Sequence, residues 1–205
     1  MAASRRRRVE HCLLWPATPI DASIQQRIKL RMGVSDMEVD DPRSRPRVVL
    51  SVLEDLLRGG ALRAEFSMLD VCCGDARILM EVQRRFGKAW LYGLDCNVGR
   101  FASHDEAASL GVELYGGFIQ ELFIRPVPEK FDVVMMLNTF RDWEAARLRV
   151  NDRALPKQAE AWLLASARYV LVTANPEQVQ RLKKQHRAAI VGPGEEDSQF
   201  LLIES

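Results

Sequence analysis

From residue 66 to residue 174, short apolar runs of strand length alternate with stretches whose apolar residues recur every three or four positions. Few folds accept such a pattern. Parallel strands cannot be joined by a tight turn, and each crossover needs roughly a dozen residues or more, usually a helix. The alternation therefore predicts an α/β architecture, a mostly parallel sheet with helices on both faces.

The elements can be placed. A helix is expected from Pro46, with Val49, Val52, Leu53, Leu56 and Leu57 on one face and Gly59-Gly60 ending it. Strands are expected at Phe66–Val71, Trp90–Leu94, Val112–Tyr115, Phe131–Leu137 and Tyr169–Ala174. The apolar stretch of the fourth suits a strand buried on both sides. Between them, a helix capped by Asp75 carries Ile78, Leu79, Val82 and Phe86 inward and stops at Gly87. Further helices are expected over about Val98–Leu110, near Trp143–Val150, and over Pro156–Ala167. Pro176–His186 reads as another. Ala188–Val191 and Gln199–Ile203 flank a Gly-Pro-Gly turn and should pair antiparallel. The expected fold is a Rossmann-like three-layer sandwich. Its seven-stranded, mostly parallel sheet closes with an antiparallel C-terminal hairpin. A ligand belongs at the carboxyl ends of its strands, beside the switch point after the first.

The 205 residues suffice for one good core and are short for two domains. Residues 1–45, broken by Pro16, Pro19 and Pro42, read as an irregular segment; residues 46–205 form the domain. The segment is a candidate lid, with His11 and Trp15 able to cover a site. Arg5–Arg8 reads as a solvated terminus. A net charge of +1 disfavours a polyanion as main partner. No apolar run reaches the roughly 18 residues of a membrane span, so no membrane partner is expected. Cys12, Cys72, Cys73 and Cys96 lack metal-finger spacing and read as reduced thiols of a cytoplasmic protein, with no metal.

The chemistry concentrates in Leu69-Asp70-Val71-Cys72-Cys73-Gly74-Asp75-Ala76-Arg77. An acid closes a strand, and a turn of small residues opens a helix, so backbone can approach a ligand closely. The N–H groups of the turn are expected to face the pocket. A dinucleotide fingerprint fails here, because its third glycine falls on Arg77. Asp70 also repels a pyrophosphate but attracts an ammonium group. The site suits a ligand with a cationic end.

These residues resemble the first motif of the class I S-adenosylmethionine-dependent methyltransferases, an acid followed by a Gly-x-Gly-x-Gly turn. Asp70 matches the acid and Gly74 the central glycine, while Cys72 and Ala76 stand at the outer glycines. Ala76 disfavours the positive φ that glycine permits. Asp95, ending Leu91-Tyr92-Gly93-Leu94-Asp95, matches the acid that holds the ribose, with Cys96 against the adenine. In Gly116-Gly117-Phe118 the family's adenine-binding acid is missing; Phe118 is either a stacking partner or ordinary core. Asn138 lies just past the fourth strand, where it meets the pocket and the methyl group would lie, and Arg141 follows it on the acceptor side. Asn138 and Arg141 are thus the catalytic candidates. Asp70, Cys72, Gly74, Asp95, Cys96, Gly117, Phe118 and Asn138 are the cofactor-binding candidates.

The resemblance implies S-adenosylmethionine as cofactor and in-line methyl transfer. The short loops leave little room for a recognition domain, which favours a small-molecule acceptor. A nucleic-acid or protein acceptor, and a non-catalytic methyltransferase-like binding module, remain alternatives.

Overall fold

In a computed structural model, residues 45–95, 104–117, 130–137, 155–194 and 197–205 are described. Their strands form one seven-stranded sheet in the order β3-β2-β1-β4-β5-β7-β6. These are β1 (Ser67–Val71), β2 (Trp90–Asp95), β3 (Val112–Gly116), β4 (Phe131–Met136), β5 (Ala167–Ala174), β6 (Arg187–Pro193) and β7 (Gln199–Glu204). From β3 to β5 every pairing is parallel, whereas β7 runs antiparallel to both β5 and β6. The α/β fold with an antiparallel C-terminal hairpin is the one expected. The order reverses between β1 and β4, which makes their carboxyl ends the switch point.

Five helices are described: α1 (Arg45–Arg58), α2 (Arg77–Phe86), α3 (His104–Ser109), α4 (Leu155–Ser166) and α5 (Pro176–Gln185). Every residue of β1 is buried, as a central parallel strand requires. Strand alternation then sorts its side chains. Met68 packs with Val49 and Leu53 of α1 and Leu79 and Val82 of α2. Leu69 and Val71 turn to the other face, against Trp162 and Leu163 of α4 and Val179 and Leu182 of α5. The result is three layers with a core on each side of the sheet.

α1 has a fixed direction along the sheet. Its 14 residues span about 21 Å. Beyond its C-terminal end, the Ala61 carbonyl accepts a hydrogen bond from Arg168 Nη1, at the start of β5, at 2.9 Å. Near its beginning, Val48 packs on Gly192 near the end of β6. α1 therefore enters at the carboxyl edge of the parallel strands and leaves at their amino edge. Among the described residues, no helix is long and apolar enough to cross a membrane.

Two boundaries differ from expectation. β5 begins at Ala167, and α4 ends at Ser166 with no intervening turn. Ala167 is already paired with Phe131 of β4, and Ser166 Oγ donates to the Leu163 carbonyl at 3.0 Å. For α2 the cap position is Ala76, without a side-chain bond. Asp75 still acts on the first turn, because its Oδ1 accepts from the Arg77 N–H at 3.1 Å. The expected starts of the Val98–Leu110 helix, the whole Trp143–Val150 helix and residues 1–44 lie outside the described residues.

Candidate functional site

Asp70 and Asp95 occupy the carboxyl ends of β1 and β2, and register relates them. Asp70 sits opposite Gly93, so Asp95 lies one same-face step further along the neighbouring strand. Leu91 and Met68 belong to the core under α1 and α2. By alternation Asp95 and Asp70 share that face. Both are buried, at 7% and 3% exposure.

The turn between β1 and α2 is gripped from β2. The Cys72 and Cys73 N–H groups both donate to the Leu94 carbonyl, at 2.8 and 3.1 Å. Gly74 N–H donates to Asp95 Oδ2 at 2.9 Å. Ala76 N–H donates to the Cys73 carbonyl at 2.9 Å. With Arg77 bonded to Asp75, most of the turn's amides serve the protein. This corrects the expectation that they face a ligand: parallel strands end side by side, and the neighbouring strand's acceptors reach them first. A phosphate at this turn would have to displace those bonds.

The backbone conformation explains the residue types. Cys72, Gly74 and Ala76 have φ of 68°, 60° and 62°. The three positions aligned with a Gly-x-Gly-x-Gly turn thus all adopt left-handed backbone. For the two non-glycines this costs on the order of 1–2 kcal/mol each. The objection that alanine disfavours such a φ is met by packing, because Ala76 is fully buried among the side chains under α1 and α2. A Cβ added to Gly74 would meet nothing within 4 Å. At that one position a side chain would meet no described atom, so φ rather than crowding asks for the glycine.

Gly93 was missed as a site residue. A Cβ there would lie 2.7 Å from Leu114 Cδ2, 2.8 Å from Cys73 Sγ and 3.0 Å from Leu79 Cδ1. A bare Cα in β2 lets the turn and α2 close onto the strand. The signal was present, since a glycine inside an apolar strand marks close approach.

Asp70 is an unusual group. No donor among the described residues hydrogen-bonds its carboxylate. Burial, then the nearby charge of Asp95, hold its pKa well above the usual carboxylate range; Arg45 opposes the shift and Asp75 adds to it. Burial likewise pushes the Cys73 thiol far up, with Asp70 and Asp95 adding to the shift. Gly117 is buried, and its N–H donates to the Asp95 carbonyl at 3.1 Å, which brings the tip of β3 to the same place. Asp70, Cys72, Gly74, Asp95 and Gly117 are thus brought together. Cys96, Phe118, Asn138 and Arg141 lie outside the described residues. Among the described residues no cluster of His, Cys, Asp or Glu could hold a metal ion.

Solved structures share this fold. The magnesium protoporphyrin IX methyltransferase of Synechocystis PCC 6803, crystallised with bound SAH, aligns over 90% of this chain and 95% of its own, with 16% identity and a TM-score of 0.53. The chain has the class I methyltransferase fold. The precorrin-6y C5,15-methyltransferase of Geobacter metallireducens GS-15 aligns over 83% of this chain and 94% of its own, with 13% identity and a TM-score of 0.50. The bifunctional kinase-methyltransferase WbdD reaches a TM-score of 0.62 at 17% identity over 80% of this chain. This methyltransferase fold spans only 40% of the WbdD chain. No family model and no curated protein matches the sequence. At these identities the likeness is one of fold.

Proposed function

We propose that this chain is an S-adenosylmethionine-dependent methyltransferase. One observation carries the reading: two buried aspartates on the same face of adjacent strand tips, flanking a left-handed turn. The residues present fit the cofactor. Asp70, a buried acid to which no described residue donates, matches its ammonium group. The left-handed turn leaves room for close backbone approach. The tied amides fit a sulfonium nucleoside better than a diphosphate.

When bound, S-adenosylmethionine supplies a methyl group already activated on sulfur for in-line displacement. The chain's own residues bind and orient. Asp70 neutralises the cationic end of the methionyl group. Asp95 spends one oxygen on the Gly74 amide, yet a carboxylate has about four acceptor sites and can also take ribose hydroxyls. Cys72, Cys96, Gly117 and Phe118 border the nucleoside. Asn138 and Arg141 orient the acceptor. Orientation alone lowers a barrier by several kcal/mol, ideally roughly 7–11.

The acceptor is proposed to be a small molecule, since the described crossovers carry no appended domain. The fold neighbours include enzymes named for a protoporphyrin and a precorrin. The protein is proposed to act in the cytoplasm. Titration with S-adenosylmethionine, S-adenosylhomocysteine and NADH tests the core of the reading. Micromolar binding of the two sulfur nucleosides without NADH is expected. NADH binding alone would replace the reading with an oxidoreductase. Binding without turnover on any acceptor would leave a binding module. Activity on nucleic acid that collapses with salt would overturn the small-molecule acceptor.

A further inference from the structure

The sheet has two edge strands, and they are finished differently. In β3, Val112 is buried and the other four residues are half-buried. β6 is barer, and among the described strands it pairs with β7 alone. Ala189 and Ile190 follow one another in it, so their side chains point to opposite faces, yet both are exposed. Val48 of α1 covers Gly192 near the end of the strand, but neither α1 nor α5 covers its middle. Ile190, at 45%, is the exposed large apolar side chain among the described residues. An edge strand presents a row of N–H and C=O groups that can template another strand, and proteins blunt such edges with charge, proline or a bulge. In β6 the charge is confined to the first residue, Arg187, and the proline to the last, Pro193; the irregularity comes only after Ile190.

Charge says which strand fits. The approach to β6 is basic: Lys183 and Lys184 in the last turn of α5 are exposed, and so is Arg187. Arg187 already meets Glu204 of β7 at 2.8 Å, so the two lysines carry the excess. The exit is acidic. The Gly194 N–H donates to the Ser198 carbonyl at 2.8 Å, and Glu195, Glu196 and Asp197 stand between those two residues in the sequence, with Asp197 exposed. An antiparallel strand of the same sequence lays its acidic exit beside this basic approach, and does so twice. A parallel copy would set like charge on like. The pattern is complementary to itself.

We propose that the β6 edge docks a second copy of this chain, antiparallel, with Ile190 near the two-fold axis. Such a contact is isologous, so it closes at a dimer, and it joins two seven-stranded sheets into one. An edge of seven residues buries less than the roughly 800 Å² per partner of a standard interface. The dimer is therefore weak and reversible, with a Kd on the order of 10–100 μM. β6 lies four strands from β1, about 19 Å at the usual strand spacing. Antiparallel docking also turns the second sheet end for end, so the two candidate cofactor sites open at opposite edges and neither is covered.

Sedimentation velocity of the full chain from about 1 to about 300 μM tests this, at low and at high salt. Monomer at the dilute end and dimer at the concentrated end are expected, with association weakening severalfold between about 50 and about 500 mM salt. Ile190→Lys sets two like charges opposite one another at the axis and should weaken association at least about tenfold. Its melting temperature should stay at the wild-type value, because the side chain it replaces is exposed. Lys183→Glu/Lys184→Glu makes approach and exit both acidic. That protein should associate less than wild type at low salt, and added salt should now help it. A chain that stays monomeric throughout overturns the proposal and gives the edge to another occupant. So does a dimer that Ile190→Lys leaves intact, since it forms elsewhere. A wild-type salt response that survives the lysine reversal overturns the antiparallel copy as the partner. Every readout is a mass or a melt, so the proposal stands or falls apart from the methyltransferase reading.

Discussion

The Asp95 carboxylate at the tip of β2 accepts a hydrogen bond from the Gly74 amide at 2.9 Å, tying the turn after one strand to the end of the next. On the proposed reading, turn shape and ribose recognition share this one side chain. Asp95→Ala should lower stability by about 1.5–3 kcal/mol, the worth of a hydrogen bond to a charged group. Asp95→Asn keeps an acceptor for Gly74 and relieves repulsion with Asp70, so less than half that loss is expected. Both should weaken S-adenosylhomocysteine binding. Urea melts with parallel titrations check this; an Asp95→Ala protein as stable as wild type would deny the tie its role.

Gly74 separates steric from conformational cost. An added Cβ meets no protein atom within 4 Å, yet φ is 60°. Gly74→Ala should therefore fold, losing about 1–2 kcal/mol to left-handed strain. Cofactor affinity should fall further than stability does, because on the proposed reading the methyl group blocks close backbone approach to the cofactor. Gly74→Val should abolish binding. Undiminished affinity in the valine variant would move the site elsewhere.

Cys72 gives the opposite sign. At φ 68° the cysteine carries strain that glycine would relieve. Glycine costs roughly 0.5–1 kcal/mol of extra chain entropy against roughly 1–2 kcal/mol of strain. Cys72→Gly should be neutral to about 1 kcal/mol stabilising, and Cys72→Val clearly destabilising, since β-branched residues tolerate this region worst. Thermal melts of the pair decide it.

Asp70 predicts a pH dependence. Burial first, then Asp95, raise its folded pKa above the unfolded value, so the folded state binds the proton more tightly. Its contribution to stability is complete below the unfolded carboxylate pKa and is lost as pH rises through the folded one. Asp70→Asn should be more stable than wild type at neutral pH and show a flatter profile above the ordinary carboxylate range. Affinity for S-adenosylhomocysteine should rise with pH over the same window in the wild type, because the ammonium partner needs the ionised acid. A wild-type stability that climbs with pH there would contradict the sign.

Much of this was legible in the sequence, for definite reasons. β1 and β2 announce themselves because apolar runs end at acids, and the closing hairpin because Gly192-Pro193-Gly194 allows little else. The end of α4 was not legible. No glycine or proline separates Ser166 from Ala167, and only pairing with Phe131 of β4 turns the chain into a strand. The left-handed Ala76 was signalled only by the glycine that the motif places there, against the residue's own preference. What holds it is the bond to Cys73 and the full burial of Ala76.

Gly93 offers the most specific test of how the site is packed. Its bare Cα faces Leu114 Cδ2, Cys73 Sγ and Leu79 Cδ1, and a methyl there would stand 2.7, 2.8 and 3.0 Å from them. Leu114 and Leu79 are side-chain ends that can rotate. Cys73 cannot move alone, because its N–H is bonded to Leu94 and its carbonyl to Ala76. Gly93→Ala should cost about 1–3 kcal/mol, as overpacked cores do. It should also push the turn away from β2 and lengthen the Gly74–Asp95 bond. Cofactor affinity should therefore drop although residue 93 touches no ligand. Cys73→Ala in the same chain removes the sulfur and should restore part of both losses, a coupling that a double-mutant cycle measures. Additive effects of the two substitutions would show that the sulfur is not what the methyl displaces.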